Sequence, residues 1–373
     1  MSTTVRIPFF KGRVALHAIL EAAGIGQGHQ VLLPGYTCVV VPNAVLYRGA
    51  EPVYADIDPA TFNLDPAALE AGCGRTWSPD RLRAVIVQHT YGLPADIDRI
   101  GAFARAHGLL VIEDACHALG SRWQGRPVGT LGDAAFFSSQ WSKPVTTGLG
   151  GWAEIVDPEL AAAVSAVAAR YPRPGALAGL RLQAQYLAYR VLYRPRLFWG
   201  LQGLYRTLGR LGLVIGSSTG AELDCRMPDD YRRRMGPLQE RTLARLLDQA
   251  AMAAATRRTN AALIERELER HHLPLAHVPA GCDPVWLRYP LRVGNKDALL
   301  AAARAARVEL GDWFLAPVHP NLTRWEQAAY RPGSCPEAER ASREVINLPT
   351  HPGLDPAEIA RIVGFVAERG TRP

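Results

Sequence analysis

Lys143 and Asp114 are the two residues of this sequence whose types and surroundings could support covalent catalysis. Lys143 lies among small polar residues and glycines, and it follows Asp114 by about thirty residues. Asp114 ends an apolar run of strand length. A lysine in a walled, partly desolvated pocket can form a Schiff base with pyridoxal phosphate, and a buried carboxylate can keep the pyridine nitrogen protonated. The pair therefore indicates a pyridoxal phosphate site, whereas a lysine beside Ser and Gly alone is more often a solvated loop residue.

The composition suits a folded enzyme and excludes several other classes. The 373 residues can bury a sizeable core, and this length suits two domains or one large domain with an appendage. The N-terminus lacks the features of a secretory signal, and no apolar run reaches the ~18 residues of a spanning helix. Six cysteines lack the spacing of metal ligands, which favours free thiols over a metal site or disulfides. We therefore expect a cytoplasmic chain without a metal.

Helical and strand patterns alternate through residues 1–155, and this alternation predicts the fold. The expected helices are residues 12–23, 36–47 and 97–107, and the expected strands are residues 30–33, 52–56, 84–88 and 109–113. Repeated strand-helix-strand units form a mostly parallel sheet with helices on both faces. Ligands bind beyond the carboxyl ends of such strands. The chain order therefore places Asp114 in a cleft of an α/β fold.

The second half of the chain predicts a smaller domain. Its expected elements are a long helix over residues 237–270, a strand over 285–293, a helix over 297–306, a short strand over 307–310 and a final helix over 355–369. We therefore expect a large cofactor-binding domain over residues 1–245 and a small α+β domain over residues 246–373.

Eight short segments keep the order and spacing of one known family. They are residues 34–38 (Pro-Gly-Tyr-Thr-Cys), 43–47 (Asn-Ala-Val-Leu-Tyr), 52–58 (Pro-Val-Tyr-Ala-Asp-Ile-Asp), 62–66 (Phe-Asn-Leu-Asp-Pro), 89–96 (His-Thr-Tyr-Gly-Leu-Pro-Ala-Asp), 113–120 (Glu-Asp-Ala-Cys-His-Ala-Leu-Gly), 132–138 (Gly-Asp-Ala-Ala-Phe-Phe-Ser) and 348–354 (Leu-Pro-Thr-His-Pro-Gly-Leu). The set resembles the DegT/StrS-type sugar aminotransferases and is far more specific than any one motif. The resemblance implies a fold-type I pyridoxal phosphate enzyme.

By this resemblance, the catalytic residues are Lys143 and Asp114. Lys143 carries the Schiff base and moves a proton between substrate and cofactor, while Asp114 binds the pyridine nitrogen. A strand-end carboxylate that caps a turn is the ordinary alternative for Asp114. His117 matches a Gln or His beside the cofactor ring, unless it is a core histidine bonded to backbone. Cys38 stands where the family usually has an aromatic ring beside the cofactor, so we expect stacking from His117 or Tyr36, with Tyr36 also near the substrate.

The resemblance also implies where the cofactor phosphate binds. Residues 11–16 (Lys-Gly-Arg-Val-Ala-Leu) match a Ser-Gly-Thr-Ala-Ala-Leu turn that enters a helix. The backbone amides of Gly12 and Arg13 can therefore bind an anion at a helix N-terminus. Ser138 occupies the position of a phosphate-binding hydroxyl, with a buried turn serine as the alternative.

Two further residues are expected to contact ligands from more distant segments. By the same resemblance, Arg232 stands where the family has an Asn that reaches the phosphate of the neighbouring subunit, and it either makes that contact or lies on a solvated charged face. His319 resembles a histidine near the substrate, although a solvated loop histidine is the more common case.

Residues 160–221 form an acid-free segment with eight arginines. Within it, an insert at about 172–219 predicts a basic, aromatic helical hairpin broken at Pro195, and its marked residues are Tyr186, Tyr189, Tyr193, Phe198, Trp199, Tyr205, Arg181, Arg190, Arg194, Arg196, Arg206 and Arg210. This composition suits an anionic membrane surface or a lipid-linked pyrophosphate. A subunit interface with solvated arginines is the other interpretation. Nucleic acid is not expected, because no binding module accompanies the charge.

Together with these patterns, the resemblance implies a homodimeric aminotransferase with a shared active site. It would take an amino group from an amino acid such as glutamate and pass it to the keto sugar of a nucleotide-sugar. One alternative is a transaminase of a lipid-linked or membrane-associated carbonyl compound, working at the inner membrane face. The other is a non-enzymatic regulator that binds the cofactor, against which Lys143 and Asp114 argue.

Overall fold

A seven-stranded sheet lies at the centre of the N-terminal part of the chain. The computed structural model describes residues 4–192, 216, 218–320 and 324–373. In chain order, the strands of these residues are β1 (Val5–Phe9), β2 (Gln30–Pro34), β3 (Thr37–Cys38), β4 (Glu51–Ala55), β5 (Leu82–Gln88), β6 (Leu110–Asp114), β7 (Arg122–Trp123), β8 (Arg126–Pro127), β9 (Ala134–Ser138), β10 (Gly151–Ile155), β11 (Cys282–Asp283), β12 (Arg288–Arg292), β13 (Val318–His319) and β14 (Val345–Pro349).

The sheet is mostly parallel, as the sequence predicts. Its strand order is β1-β10-β9-β6-β5-β2-β4. The five strands from β9 to β4 are parallel to one another, and β10 is antiparallel to both β1 and β9. Parallel neighbours align their carboxyl ends, so Asp114 at the end of β6 lies at the edge where such sheets bind ligands.

Helices cover both faces of this sheet. The described helices are α1 (Gly12–Ala22), α2 (Val40–Leu46), α3 (Pro66–Ala71), α4 (Ile97–Ala106), α5 (Pro158–Arg170), α6 (Ala176–Leu192), α7 (Gly220–Leu223), α8 (Pro237–Asp248), α9 (Ala250–Arg270), α10 (Lys296–Ala305), α11 (Pro336–Glu344) and α12 (Pro356–Arg369). Alternate residues of β5 point to opposite faces. Ile86 packs in the core with α1, and Val85 and Val87 pack in a second core with α4.

The second half of the chain contains the expected mixture of helices and strands. The β12 and β14 strands form an antiparallel pair, and α9 packs against α12. The long helix predicted over residues 237–270 is wrong in one respect, because α8 ends at Asp248 and α9 begins at Ala250, with Gln249 between them at φ −98° and ψ 0°. The strand predicted over residues 307–310 is also wrong: Arg307 adopts a φ of 55°, and residues 308–310 pair with no strand among the described residues. The domain boundary near residue 245 stays a prediction.

The helix predicted over residues 36–47 begins later than expected. Residues 37 and 38 instead form β3, which pairs in parallel with β13, and α2 starts at Val40. The pairing partner comes from the C-terminal half of the chain, so the local helical pattern could not reveal it. Its consequence is that His319 lies directly beside Cys38.

The insert is described only in part. Helix α6 confirms helical structure from Ala176 to Leu192. The predicted break at Pro195 and the aromatic and basic residues from Tyr193 to Arg210 lie outside the described residues.

Three properties of the described residues bear on function. No described helix has the length and apolarity needed to cross a membrane. No cluster of three or more His, Cys, Asp or Glu side chains in these ranges converges as metal ligands would. All six cysteines lie in the described ranges and are free thiols.

Candidate active site

Lys143 lies in the loop that joins β9 to β10. The base of this loop is fixed by hydrogen bonds from the Thr147 amide to the Ser139 carbonyl (2.9 Å) and between the hydroxyls of the same two residues (2.8 Å). Lys143 itself is held by a bond from its backbone amide to the Gln140 carbonyl (3.2 Å). No hydrogen bond or ion pair reaches its amine from the described part of the chain. The loop therefore presents an amine that is available for reaction.

Asp114 is a buried carboxylate at the end of β6. Its Oδ1 accepts a hydrogen bond from the Cys116 amide at 3.1 Å. Burial raises the pKa of Asp114, and the charge of Lys143 acts in the opposite direction. The same lysine charge acts on the pKa values of His117 and His319. The structure thus brings together four of the predicted site residues.

His117 stacks against Trp313. Their ring centroids are 5.2 Å apart and their planes differ by 16°. The Tyr91 amide donates to Nδ1 of His117 at 3.3 Å, so this nitrogen carries no proton. Burial first, and the charges of Lys143 and Arg288 next, lower the pKa of His117 well below its ordinary value. His117 is therefore a neutral ring, and Trp313 adds an aromatic surface beside it.

His319 is also held neutral. The Leu315 amide donates to its Nδ1 at 3.1 Å, and burial lowers its pKa to about 4. Its ring lies 5.3 Å from the ring of Phe314. His319 is thus not the solvated loop histidine that was the alternative, because β13 anchors it beside Cys38.

Tyr36 corrects one expectation. Its side chain has no exposed surface, and its hydroxyl bonds the hydroxyl of Tyr91 (2.7 Å) and accepts from the Phe314 amide (3.3 Å). Its ring packs edge-on against the Phe314 ring at 4.8 Å. Because the side chain is fully buried and its hydroxyl is paired, Tyr36 has no surface left to stack on a cofactor or to contact a substrate. Hydrogen bonds connect Tyr36 to Trp313 through Tyr91, whose hydroxyl donates to the Trp313 carbonyl at 2.6 Å.

A cradle for an anion lies where α1 meets the ends of β9 and β10. No side chain caps the N-terminus of α1, and the amides of Gly12 and Arg13, its first two residues, have no acceptor among the described residues. Glycine is required for the close approach: a Cβ on Gly12 would lie 2.7 Å from the Phe137 carbonyl, and one on Gly151 would lie 2.2 Å from the Gly12 amide. Ser138 is buried beside Gly12, and its hydroxyl accepts from the Gln140 amide at 3.3 Å. The backbone positions that the sequence predicts are therefore in place.

The side chain of Arg13 is already paired within the chain. Its guanidinium forms a buried ion pair with Glu222 at 2.5 Å, and Lys11 pairs with the same carboxylate at 3.3 Å. Burial acts to raise the pKa of Glu222, but these two cations outweigh burial and lower the pKa. The backbone amide of Arg13 can thus bind a phosphate, while its side chain connects α1 to α7 through Glu222.

Arg232 lies apart from this group within one subunit. Its side chain is exposed, and its charge acts on the pKa values of His17 and Tyr171 rather than on residues beside Lys143. The neighbouring Tyr231 is buried and donates from its hydroxyl to the Arg13 carbonyl at 3.0 Å. The segment is therefore fixed against α1, with Arg232 pointing outward.

A cavity of about 250 Å³ opens beside Lys143. Besides Lys143, its charged and hydroxyl-bearing lining includes Tyr189, Arg257, Arg288, Glu309, Thr350 and His351. Tyr189 belongs to α6, and its ring lies 4.8 Å from that of Trp141 in the Lys143 loop. The start of the insert is thus part of the candidate site.

Pyridoxal phosphate fits the groups that these residues present. The cofactor needs a reactive amine, a carboxylate for its ring nitrogen and donors for its phosphate. Lys143 is unpaired within the described residues, and Asp114 has no side-chain cation bound to it. The tight backbone cradle at Gly12 and Gly151 leaves amides for an anion. All three requirements meet at one edge of the sheet.

Sequence reasoning missed several residues of this site. Trp313 precedes a Phe and lies six residues before His319, and only its contact with His117 reveals its position. Arg257 and Arg288 lie in a helix and a strand whose patterns indicated packing alone. Tyr189 was marked for its aromatic character, but nothing in the sequence connected it with Lys143.

Comparisons with known proteins identify the family of this chain. The sequence profile of the DegT/DnrJ/EryC1/StrS aminotransferase family matches residues 6–171 and 229–367. The "Pleiotropic regulatory protein" of Geobacillus stearothermophilus is 30% identical over 96% of this chain and 82% of its own length. The GDP-perosamine synthase of Caulobacter vibrioides is 31% identical over 94% of this chain and 82% of its own length.

A solved structure extends the likeness to the whole fold. The DegT/DnrJ/EryC1/StrS aminotransferase of Brucella abortus superposes with a TM-score of 0.73 at 25% identity, and the alignment covers 97% of this chain and 85% of the Brucella chain. The family match leaves out residues 172–228, which include the insert. With the profile matching most of the chain and the site residues assembled at the sheet edge, the chain belongs to the DegT/DnrJ/EryC1/StrS aminotransferase family, whose cofactor is pyridoxal phosphate.

Proposed function

We propose that the chain transfers an amino group from an amino acid to the keto sugar of a nucleotide-sugar, with Lys143 and Asp114 as its catalytic residues. The single observation that supports this most is the convergence of the unpaired Lys143 amine and the buried Asp114 carboxylate at the ligand-binding edge of the sheet. The relative from Caulobacter is named for a product of sugar amination, and the family's printed description is that of aminotransferases.

The lysine content of the chain supports the choice of Lys143. The chain has three lysines. Lys11 is paired with Glu222. Lys296 is buried and donates to the carbonyls of Phe314 (2.8 Å) and Ser342 (2.7 Å). Only Lys143 lies beside a buried carboxylate at the sheet edge, so the other two lysines offer no competing site.

Each residue has a defined task in this proposal. When bound, the cofactor supplies an electron sink for the substrate carbon. Asp114 holds a proton on the ring nitrogen through its carboxylate. The Nζ of Lys143 removes and returns the proton at the substrate carbon. His117 and Trp313 form an apolar wall, and the amides of Gly12 and Arg13 with the Ser138 hydroxyl bind the phosphate.

We also assign the enzyme to a homodimer in the cytoplasm. Arg232 is exposed and lies on a segment fixed against α1. An exposed arginine there can reach a phosphate bound in the partner subunit and bind it with two parallel hydrogen bonds. Glutamate is the proposed amino donor.

The decisive experiment is an amine-transfer assay. Purified protein with pyridoxal phosphate is given glutamate or glutamine, together with a panel of nucleotide keto sugars, and mass spectrometry detects an amino sugar. Lys143→Ala is the control that must lose the product. If the wild-type protein aminates none of the sugars while it converts the donor, the acceptor is not a nucleotide-sugar.

A lipid-linked or membrane-associated acceptor is a second candidate, and the exposed face of α6 favours it. Leu177, Leu180, Leu187 and Val191 are between 52% and 81% exposed and recur at helical spacing on one side of the helix. Arg181 and Arg190 on the same helix are exposed as well. An apolar stripe with arginines suits the surface of an anionic membrane. The same stripe also suits a subunit interface.

A regulator without enzymatic activity is the third expectation from the sequence. The relative from Geobacillus carries a regulatory name. A purely structural role for the cofactor would not need an unpaired amine at Lys143 or a buried carboxylate at Asp114. The amine-transfer assay separates the two roles directly, because a regulator would leave the donor unconverted.

A further inference from the structure

The cavity beside Lys143 carries an excess of positive charge. Lys143, Arg257 and Arg288 line it, and Glu309 is its one carboxylate among the described residues. Glu309 is already engaged, because its Oε2 bonds Nε2 of His351 at 3.1 Å. Burial acts to raise the pKa of Glu309, but His351 and the charge of Arg288 outweigh burial and lower it. Three cationic groups thus face one carboxylate that has a partner.

Arg257 is a buried cation without a counter-ion. It is 5% exposed, and its Nη1 donates to the Leu287 carbonyl (3.0 Å) and the Thr350 hydroxyl (2.9 Å). Its Nε is buried and has no hydrogen-bond partner in the described part of the chain. Burial, followed by the charge of Arg288, lowers the pKa of Arg257 to about 10. An unpaired buried guanidinium is costly, so an anion in the cavity would be bound strongly.

Arg288 is preorganised for the same anion. Its guanidinium lies 4.7 Å from the centre of the Trp313 ring. The opposite charge nearest to it in this cavity is Glu309, which His351 already binds. A guanidinium that lies over an aromatic ring can present its edge to a bidentate carboxylate. Lys143 lies 4.9 Å from the same ring, so an anion held here is next to the reactive amine.

We propose that Arg257 and Arg288 form a carboxylate subsite that binds the carboxylate of the amino-acid donor beside Lys143. This inference rests on the proposed function and names the group by which the donor is recognised. The cavity volume of about 250 Å³ lies below the ~300 Å³ at which pockets for drug-sized ligands begin. It can therefore hold an amino acid beside Lys143, which the nucleotide-sugar must also reach when it accepts the amino group.

The test measures binding without catalysis. Glutarate has two carboxylates and no amine, so calorimetric titration of the pyridoxal phosphate-loaded protein with glutarate reports on the subsite alone. Arg288→Gln and Arg257→Gln should each weaken binding by about tenfold or more, since hydrogen bonds to charged groups are among the strong ones. Arg292→Gln and Arg258→Gln are matched controls on the same strand and helix. Arg292 is paired with Glu344 and Arg258 with Asp283, and neither lines the cavity.

The outcomes separate the subsite from the function. Unchanged glutarate binding in Arg288→Gln would overturn the proposal, and thermal melting identifies any loss caused by misfolding of Arg257→Gln. A parallel titration with glucuronate tests the other source of a carboxylate: if the variants lose glucuronate but keep glutarate, the donor assignment is overturned. If the protein binds glutarate through both arginines but transfers no amine to any sugar, the proposed subsite is supported and the proposed acceptor is wrong. In the variants, the KM for glutamate should rise by about tenfold, with a smaller change in kcat.

Discussion

The Nζ of Lys143 lies 4.9 Å from the centre of the Trp313 ring. The same ring stacks on His117 and lies under the guanidinium of Arg288. Trp313 is therefore in contact with the lysine, with the histidine beside Asp114 and with the cationic cavity. It lies in the C-terminal half of the chain and places an aromatic ring beside Lys143 and His117.

Replacing Trp313 by Ala should slow the donor half-reaction more than it affects folding. The change removes the ring that lies against His117 and two cations, and contacts of this type contribute about 0.5–2 kcal/mol each. We expect a rate loss of about 3- to 30-fold in single-turnover absorbance traces. Trp313→Phe keeps an aromatic surface and should recover most of the rate. Equal losses in the two variants would show that the ring itself is not what matters.

Reduction of the loaded protein with borohydride should fix the cofactor to Lys143. Lys11 and Lys296 are the only other lysines, and both are engaged with carboxylate or carbonyl oxygens. Peptide mass spectrometry locates the adduct among the three. Lys143→Ala should yield none, while Lys11→Arg should still be labelled at Lys143. An adduct on Lys296 would contradict the assignment.

Asp114→Asn should leave the cofactor bound but slow the donor half-reaction by about 10²-fold or more. The amide has nearly the shape of the carboxylate, but it cannot hold the proton on the ring nitrogen. Cofactor content measured by absorbance checks binding, and stopped-flow traces check the rate. Wild-type kinetics in this variant would show that another group carries the charge.

Much of the fold could be predicted from the sequence because its signals are local. The buried strands β5 and β6 are β-branched runs, and their order along the chain indicates a parallel sheet with Asp114 at its carboxyl edge. The predicted elements were wrong where contacts between segments distant in the sequence determine the local structure. Strand β3 replaces the start of a helix because β13 pairs with it, and the pattern through Gln249 is continuous although the helix is not.

The candidate site was predictable to the same extent. Lys143, Asp114, His117 and Ser138 lie in motifs whose order and spacing could be read directly. Tyr36 is in such a motif too, but its burial follows from packing on Phe314, which lies 278 residues away. Arg257 and Trp313 could not be found, because only tertiary structure brings them to Lys143.

The stability of the protein should fall as the pH drops from 6.5 to 4.5, partly through His17. Burial first, and the charge of Arg48 next, lower the pKa of His17 to about 4, against the influence of Glu21. Between pH 6.5 and 4 the unfolded chain therefore binds a proton that the folded chain does not, so stability is lost as the pH falls, by at most about 1.4 kcal/mol per pH unit. His17→Gln should flatten the pH dependence of the urea midpoint. Exposed His277→Gln should not, and an unchanged slope in His17→Gln would contradict the assignment.

The exposed face of α6 leads to the last prediction, which decides between a membrane surface and a subunit interface. If α6 binds anionic lipid, the protein should float with liposomes containing phosphatidylserine at low salt. Each arginine near such a surface contributes about 1 kcal/mol, and salt screens it beyond about 10 Å. Binding should therefore fall steeply as salt is raised, and Arg181→Gln with Arg190→Gln should weaken it further.

The apolar stripe gives a second variant that tests both interpretations at once. Leu180→Gln with Leu187→Gln removes two exposed apolar side chains and leaves Leu182 and Tyr186, the buried residues of α6, in place. If α6 lies on a membrane, this variant should lose flotation and keep the molar mass of the wild type in light scattering. If α6 is a subunit interface, the molar mass should fall instead, and the wild type should ignore anionic liposomes even at low salt. Cofactor absorbance should stay unchanged in either case, because neither leucine lines the cavity beside Lys143.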